Sequence, residues 1–171
     1  MNLYNDIFPV CYGQFYFLSE SGEGAGLEEC FTGQSNGLCG AAHEGILFFI
    51  TGLHTGNISL KVDYLTSKPE VDPAAEEIVE VSFYISEDGC RLESWGGEYE
   101  QELNLESGWY RVRYSAIKFG LAEELDELES GKVEKYQVEI WRSPRQADQV
   151  ILATEEAAKY WHSEAKKQHL V

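Results

Sequence analysis

EEIVEVSFYISEDGCRLESWGGEYEQELNLESGWYRVRYSAIKF, residues 76–119, is the most strongly patterned stretch of the chain. Val79, Val81, Phe83 and Ile85 alternate with Glu80, Ser82 and Tyr84. A period of two sends one set of side chains inward and the other toward water, so this segment reads as a strand. Glu87-Asp88-Gly89 follows, and Asp-Gly between apolar alternations is a hairpin signal, because Gly accepts a positive φ without a Cβ clash. Cys90 and Leu92 continue one face, and Gly96-Gly97 breaks the run. Leu103 and Leu105 predict a short strand. Glu106-Ser107-Gly108 then turns the chain into Tyr110, Val112, Tyr114 and Ala116, alternating with Trp109, Arg111 and Arg113.

Working outward from this stretch, Cys11 to Leu18 reads as an aromatic strand after an extended lead-in over residues 1–10. Leu27 to Phe31 fits one helical turn in a loop. Gly45 to Thr51 is a continuous apolar run, expected to be a strand buried on both faces. Thr55-Gly56-Asn57 turns the chain into Ile58, Leu60, Val62 and Tyr64, and the two strands are expected to pair as a hairpin or meander. Pro69 and Pro73 make residues 67–76 a loop.

Downstream, Leu121 to Gly131 is acidic and reads as a short helix or a solvated loop. Tyr136, Val138 and Ile140 alternate in a strand closed by Ser143-Pro144. The last element is a helix over Glu155 to Gln168. Thr154 is its expected N-cap, its charges match the helix dipole at both ends, and its packing stripe is Ala157, Trp161 and Ala165 with Tyr160 beside them.

The count is about eight strands and one C-terminal α-helix, with no long helix between successive strands. The expected fold is all-β: an antiparallel two-sheet β-sandwich, with a small closed barrel as the alternative. A chain of 171 residues without internal repeats fits a single domain over residues 1–171. Residues 119–171 form an extension carrying the acidic segment, a strand and the helix.

Thirty acidic against thirteen basic residues give a formal charge of −17. Such a field disfavours nucleic acid and anionic membranes as partners and favours a basic protein. The N-terminus lacks a basic segment followed by a long apolar run, so a cytoplasmic location is expected. The four cysteines, at 11, 30, 39 and 90, include no C-x-x-C pair and read as free structural thiols.

Motifs for catalysis are absent. His43-Glu44 lacks the second histidine of H-E-x-x-H, no G-x-S-x-G elbow occurs, and the glycine-rich stretches lack the P-loop pattern. Cys39 and His43 are four residues apart, which alone does not make a nucleophile and base. No enzyme activity, cofactor or metal is expected.

The acids are unevenly placed. Residues 70–106 hold twelve of them against a single base, Arg91. Glu98, Glu100 and Glu102 alternate at period two and would share one face of an extended segment, their carboxylates spaced ~6.6–7 Å apart like phosphates along a strand. An ordinary charged edge protected from aggregation has the same pattern. Tyr84, Trp95, Trp109 and Trp141 fall at outward phases, where they would form a binding face. A register slip of one residue would put all four in the core.

Three segments together carry a resemblance: Gly40-Ala41-Ala42-His43-Glu44-Gly45-Ile46, Val81 to Gly89, and Leu103 to Tyr110. In order and spacing, over roughly residues 35–118, they are similar to the competence-associated DNA-entry nuclease inhibitors of bacteria. The resemblance implies a small non-enzymatic protein that binds and blocks a nuclease. The leading expectation is an acidic protein-binding module that docks on a basic nuclease. Glu98, Glu100 and Glu102 would form the docking face, with Trp95 or Trp109 as the aromatic anchor. The alternatives are a carbohydrate- or peptide-binding sandwich using exposed aromatics, and an immunity protein against a basic toxin.

Overall fold

The computed structural model describes residues 1–19, 25–120 and 134–167. The alternating stretch forms β6 (Glu77–Ile85), β7 (Cys90–Ser94), β8 (Glu100–Glu102) and β9 (Gly108–Ile117). Before it come β1 (Asn2–Val10), β2 (Gln14–Ser19), α1 (Leu27–Phe31), β3 (Cys39–Gly40), β4 (Ile46–Ile50) and β5 (Gly56–Leu65). After it come β10 (Lys135–Arg142), β11 (Gln149–Ala153) and α2 (Glu156–Lys167). The acidic segment 121–131 and the end of the expected helix, at Gln168, lie outside the described residues, as does most of the glycine-rich stretch at 21–24.

Two sheets face each other. One has six strands in the order β1-β5-β10-β9-β6-β11, the other five in the order β3-β4-β2-β7-β8. The inner faces are the alternating sets read from the sequence. Val79, Val81, Phe83, Val112, Tyr114 and Val138 from the larger sheet meet Phe15, Phe17, Leu47, Phe49 and Leu92 from the smaller, all buried. Phe15 stacks on Phe49 with ring centroids 4.5 Å apart, and Tyr114 packs edge-on against both rings. The Tyr114 hydroxyl donates to the Ile50 carbonyl at 2.8 Å, joining the sheets by a hydrogen bond as well as by apolar contact. Each such buried ring contributes ~1.5–3 kcal/mol relative to exposure.

Among the described residues there are eleven strands, against about eight expected. The lead-in is the edge strand β1, paired antiparallel with β5. Gln149–Ala153 is the opposite edge, paired with β6. Two residues, Cys39 and Gly40, pair with β4. The expected strand at Leu103 and Leu105 instead forms just before them, over Glu100–Glu102; Leu103 is buried, and its N–H donates to the Cys90 carbonyl at 2.8 Å.

Two expected pairings are corrected. Asp88-Gly89 does turn the chain, with Gly89 at φ +94°, but it carries it from the six-stranded sheet to the five-stranded one. Only an isolated Ser86–Gly89 bridge closes it. The Ser19 hydroxyl fixes this corner, accepting from the Ser86 N–H and donating to the Gly89 carbonyl, both at 2.9 Å. Likewise β4 and β5 do not pair, because the connection between them also crosses sheets. Strand β5 lies between β1 and β10, antiparallel to the first and parallel to the second. Strand β10 thus sits inside the larger sheet, between β5 and β9, and residues beyond 119 supply one of its interior strands.

The outer face of the six-stranded sheet carries buried charge. Glu80, Arg111 and Arg113 are each 1% exposed. Arg113 donates to Glu80 Oε1 from Nη2 at 2.9 Å, and Arg111 Nε donates to Glu80 Oε2 at 3.2 Å. Both arginines also reach carbonyls of segments crossing above them. Arg113 Nη1 bonds Pro69 and Glu70, and Arg111 Nη1 bonds Ala147 at 2.8 Å. The outward phase of these residues was correct; two loops cover them. Burial alone would raise the Glu80 carboxyl, but the hydrogen bonds from Arg113 and Arg111 outweigh it and hold Glu80 below its ordinary pKa.

Helix α2 begins at Glu156, and its buried face is Ala158, His162 and Ala165. Of the expected stripe, Ala165 is buried and Ala157 and Trp161 are half-buried against the core, while Tyr160 is exposed; the most buried positions include Ala158 and His162, one residue on from Ala157 and Trp161. His162 Nδ1 accepts from the Gly37 N–H at 2.9 Å. A Cβ on Gly37 would stand 2.0 Å from the Trp161 carbonyl oxygen, so glycine sets how closely the helix approaches. Thr154 does not cap the helix through its side chain, whose hydroxyl donates to the Glu76 carbonyl. Instead Glu77 Oε1 accepts from the N–H groups of Thr154 and Glu155.

Candidate protein-docking surface

Strand β8 is an edge of the five-stranded sheet. It pairs with β7 so that Glu102 faces Arg91, Gln101 faces Leu92 and Glu100 faces Glu93. Leu92 belongs to the core, so the alternating register puts the two glutamate pairings on the outer face. Arg91 Nε donates to Glu93 Oε2 at 2.8 Å, and this bond raises the arginine's pKa, with Glu100 and Glu102 adding to the shift. Glu93 and Glu100 converge: a Cβ on Gly97 would lie 3.8 and 3.7 Å from their Oε1 atoms. Four carboxylates, at 93, 98, 100 and 102, thus stand against one guanidinium at this edge.

Between β7 and β8 the chain makes a short 3-10 turn, Trp95–Gly97. Its base is fixed: the Ser94 N–H donates to the Tyr99 carbonyl, and the Tyr99 N–H donates to Ser94 Oγ, both at 2.9 Å. Tyr99 packs against Phe8 and Tyr4. The turn therefore holds Trp95 outward from an anchored stem, 43% exposed. Tyr12, 57% exposed, packs on the Trp95 ring at 4.8 Å and on His54 at 5.5 Å. Tyr12 has φ +56° and Gly13 φ +65°, the left-handed pair that a two-residue turn closed by the Cys11–Gln14 bridge requires, and at Tyr12 this conformation costs roughly 1–3 kcal/mol. The sequence reading did not single out Tyr12; its signal was the Tyr12-Gly13 turn between two strands.

Of the expected docking residues, Glu98, Glu100, Glu102 and Trp95 come together here, all exposed. The expected row of three is not continuous. Glu98 takes a helical backbone, with φ −69° and ψ −25°, so only Glu100 and Glu102 alternate along a strand. Trp109 is elsewhere. It pairs with Tyr84 across β9 and β6, near the corner where Ser86 meets Ser19, the last residue of β2. Trp95 follows Ser94, which pairs with Phe15 near the other end of β2. The two tryptophans therefore mark opposite ends of the sandwich. Trp141 is buried, and the Arg113 guanidinium lies 5.6 Å from its ring centre.

The remaining acids of residues 70–106 are dispersed. Glu77 and Glu80 are buried, Glu70, Asp72 and Glu76 lie on or beside the loop over the larger sheet, and Glu87, Asp88 and Glu106 lie in turns. Exposed carboxylates and exposed aromatic rings lie close together at the β7–β8 edge, and Glu44 likewise lines a cleft with Tyr84 and Trp109 at the other end.

Nothing resembling a catalytic pair forms around Cys39. The residue is fully buried, burial raises its thiol well above the ordinary value, and His43 Nδ1 instead bonds the Glu44 carbonyl at 2.9 Å. Cys30 and Cys90 are also buried with raised pKa values, and Cys11 is half-buried. Among the described residues no group of three or more His, Cys, Asp or Glu is placed to hold a metal ion. No described helix is long and apolar enough to cross a membrane.

No protein-family model matches the sequence, and no curated protein does. Solved structures do. ComJ from Bacillus subtilis, described as the inhibitor of the DNA-degrading activity of NucA, superposes with a TM-score of 0.57. It is 16% identical, and the match covers 84% of this chain and 98% of ComJ. The protein of crocagin biosynthetic gene J superposes with a TM-score of 0.54 at 13% identity, covering 82% of this chain and 96% of its own. At these identities the likeness is one of fold.

Proposed function

We propose that this protein is a non-enzymatic inhibitor that binds a basic nuclease through the β7–β8 edge. The carrying observation is that Glu93 and Glu100 converge beside the turn bearing the exposed Tyr12–Trp95 pair, with Glu98 and Glu102 exposed on the same turn and edge strand. A fold shared with ComJ supports the reading, as does the sequence resemblance at residues 35–118.

The physical division of labour is simple. A nuclease cleft that holds phosphates is cationic, and carboxylates at strand spacing meet it with complementary potential. A −17 chain accelerates the encounter, roughly ten- to a thousand-fold at low salt. Charge at an exposed rim contributes little net affinity, so the Trp95 ring, presented on its fixed stem, serves as the anchor. The proposed place of action is the cytoplasm.

The experiment is DNA digestion by endogenous nucleases with and without the protein, at low and moderate salt. Inhibition that weakens as salt rises is expected. An unchanged digestion rate at both salt concentrations would end the proposal.

A further inference from the structure

Strand β11 pairs with β6 only from Glu77 to Glu80. From Ser82 to Ile85 no strand lies beside β6 on that side among the described residues, while β9 pairs along the other. Every second N–H and C=O of a strand points away from its paired neighbour, so this half-edge retains main-chain groups outside any ladder. A cleft of about 430 Å³ lies against it, within the size range of ligand sites.

The cleft has a distinct chemistry. Residues 41–45 form one side: Ala41, Ala42 and Gly45 are small enough for another backbone to come close, and His43 and the exposed Glu44 stand between them, so a partner's carboxylate must reach Arg145 clear of Glu44. Tyr84 and Trp109 form the other, each 38% exposed, with ring centroids 5.4 Å apart. Arg145, on the segment after β10, lies with its guanidinium 5.5 Å from the Trp109 ring centre. It is the one arginine or lysine in the lining, is exposed, and makes no ion pair among the described residues. In a chain with seventeen excess negative charges, a cation left to stack on an aromatic ring is available to an incoming anion.

We propose that this cleft binds an extended peptide segment of a partner protein, added as a strand alongside Ser82–Ile85. The segment carries an aromatic or large apolar side chain for the Tyr84–Trp109 wall and a carboxylate for Arg145. Free main-chain groups beside pockets for alternate side chains are what strand addition needs. A sugar would use the rings but not the strand edge. The inference does not rest on nuclease inhibition, since the β7–β8 patch lies at the other end of the sandwich.

The test is selection of the full-length protein against a phage-displayed library of random dodecapeptides, followed by titration of the enriched peptides. The expected consensus pairs an aromatic or large apolar residue with an acidic one. Binding should protect amides of Ser82–Ile85 from hydrogen exchange. Trp109→Ala should weaken it roughly ten- to thirty-fold. Arg145→Glu, a change on an exposed segment that leaves the core intact, should reverse the preference for acidic peptides. Replacing Glu98, Glu100 and Glu102 by Gln should leave binding unchanged. Enrichment of no peptide, or peptides that bind Trp109→Ala and Arg145→Glu as tightly as the parent, would overturn the proposal. So would protection confined to the β7–β8 edge.

Discussion

Replacing Glu80 by Leu tests the charge network on the outer face of the six-stranded sheet. One carboxylate, 1% exposed, accepts from Arg111 Nε, Arg113 Nε and Arg113 Nη2 at 3.2, 3.0 and 2.9 Å. Its removal leaves two guanidiniums, themselves 1% exposed, without that counter-charge. Lys68 reaches Glu80 from the surface but is solvated and adds little. Breaking a buried pair in this way costs ~3–5 kcal/mol. Against a typical total of ~5–15 kcal/mol this is a large fraction, equivalent to a fall in Tm of roughly 10 °C for a chain of this size.

Urea unfolding followed by tryptophan fluorescence measures the change, with the midpoint moving and the slope unaltered. The triple replacement Glu80→Leu, Arg111→Met, Arg113→Met should recover much of the loss, because an apolar cluster of similar volume avoids the desolvation of all three charges. The pH dependence has a fixed sign. The folded carboxyl titrates below its unfolded value, so Glu80 contributes its stability above the ordinary glutamate pKa, and that contribution is lost as pH falls through the folded value. A Glu80→Leu variant within ~1 kcal/mol of the parent at neutral pH would refute the assignment of these residues as a coupled buried network.

Three other outcomes follow from the packing. Gly37→Ala should displace α2, because its Cβ would overlap the Trp161 carbonyl; faster proteolysis within residues 156–167 checks it. His162, whose pKa burial lowers to about 4, binds fewer protons folded than unfolded between there and about 6.5. Stability therefore falls as pH drops through that window, and urea midpoints of His162→Gln, which keeps an acceptor for Gly37, should fall less steeply than the parent's. Phe49→Ala should cost ~3–5 kcal/mol in urea unfolding, since the ring stacks on Phe15 and meets Phe17 and Tyr114.

Much of the architecture was legible because a half-buried strand writes its burial into a period of two. The side chains of β6, β9 and β10 alternate between the two faces as read, although loops bury part of the outer face as well, and the all-apolar β4 is buried on both faces. Strands β1 and β11 were missed for different reasons. Residues 2–10 carry polar residues and Pro9, which an edge strand tolerates and an interior one does not. Gln149–Ala153 holds a four-residue apolar run, residues 150–153, that periodicity cannot assign. Partner choice was not legible either. Asp88-Gly89 specifies a turn, but whether the chain returns along its own sheet or crosses to the other depends on contacts such as Ser19 with Ser86.

At the candidate site, the sequence revealed the acidic cluster and the aromatic residues but not their grouping. Trp95 joined the glutamates through a turn fixed by Ser94 and Tyr99, while Trp109 faced Tyr84 at the far end. The buried arginines and His162 left no signal, because loops distant in sequence, at residues 69–70, 147 and 37, provide their cover.

The most direct test compares nuclease inhibition by the parent protein, by the Glu98→Gln, Glu100→Gln, Glu102→Gln triple variant, by Trp95→Ala and by Trp109→Ala, each confirmed folded. The β7–β8 account predicts that the parent and Trp109→Ala slow DNA digestion equally, that Trp95→Ala loses most inhibition, and that the triple variant inhibits more slowly and with less dependence on salt. Full inhibition by both Trp95→Ala and the triple variant would contradict it.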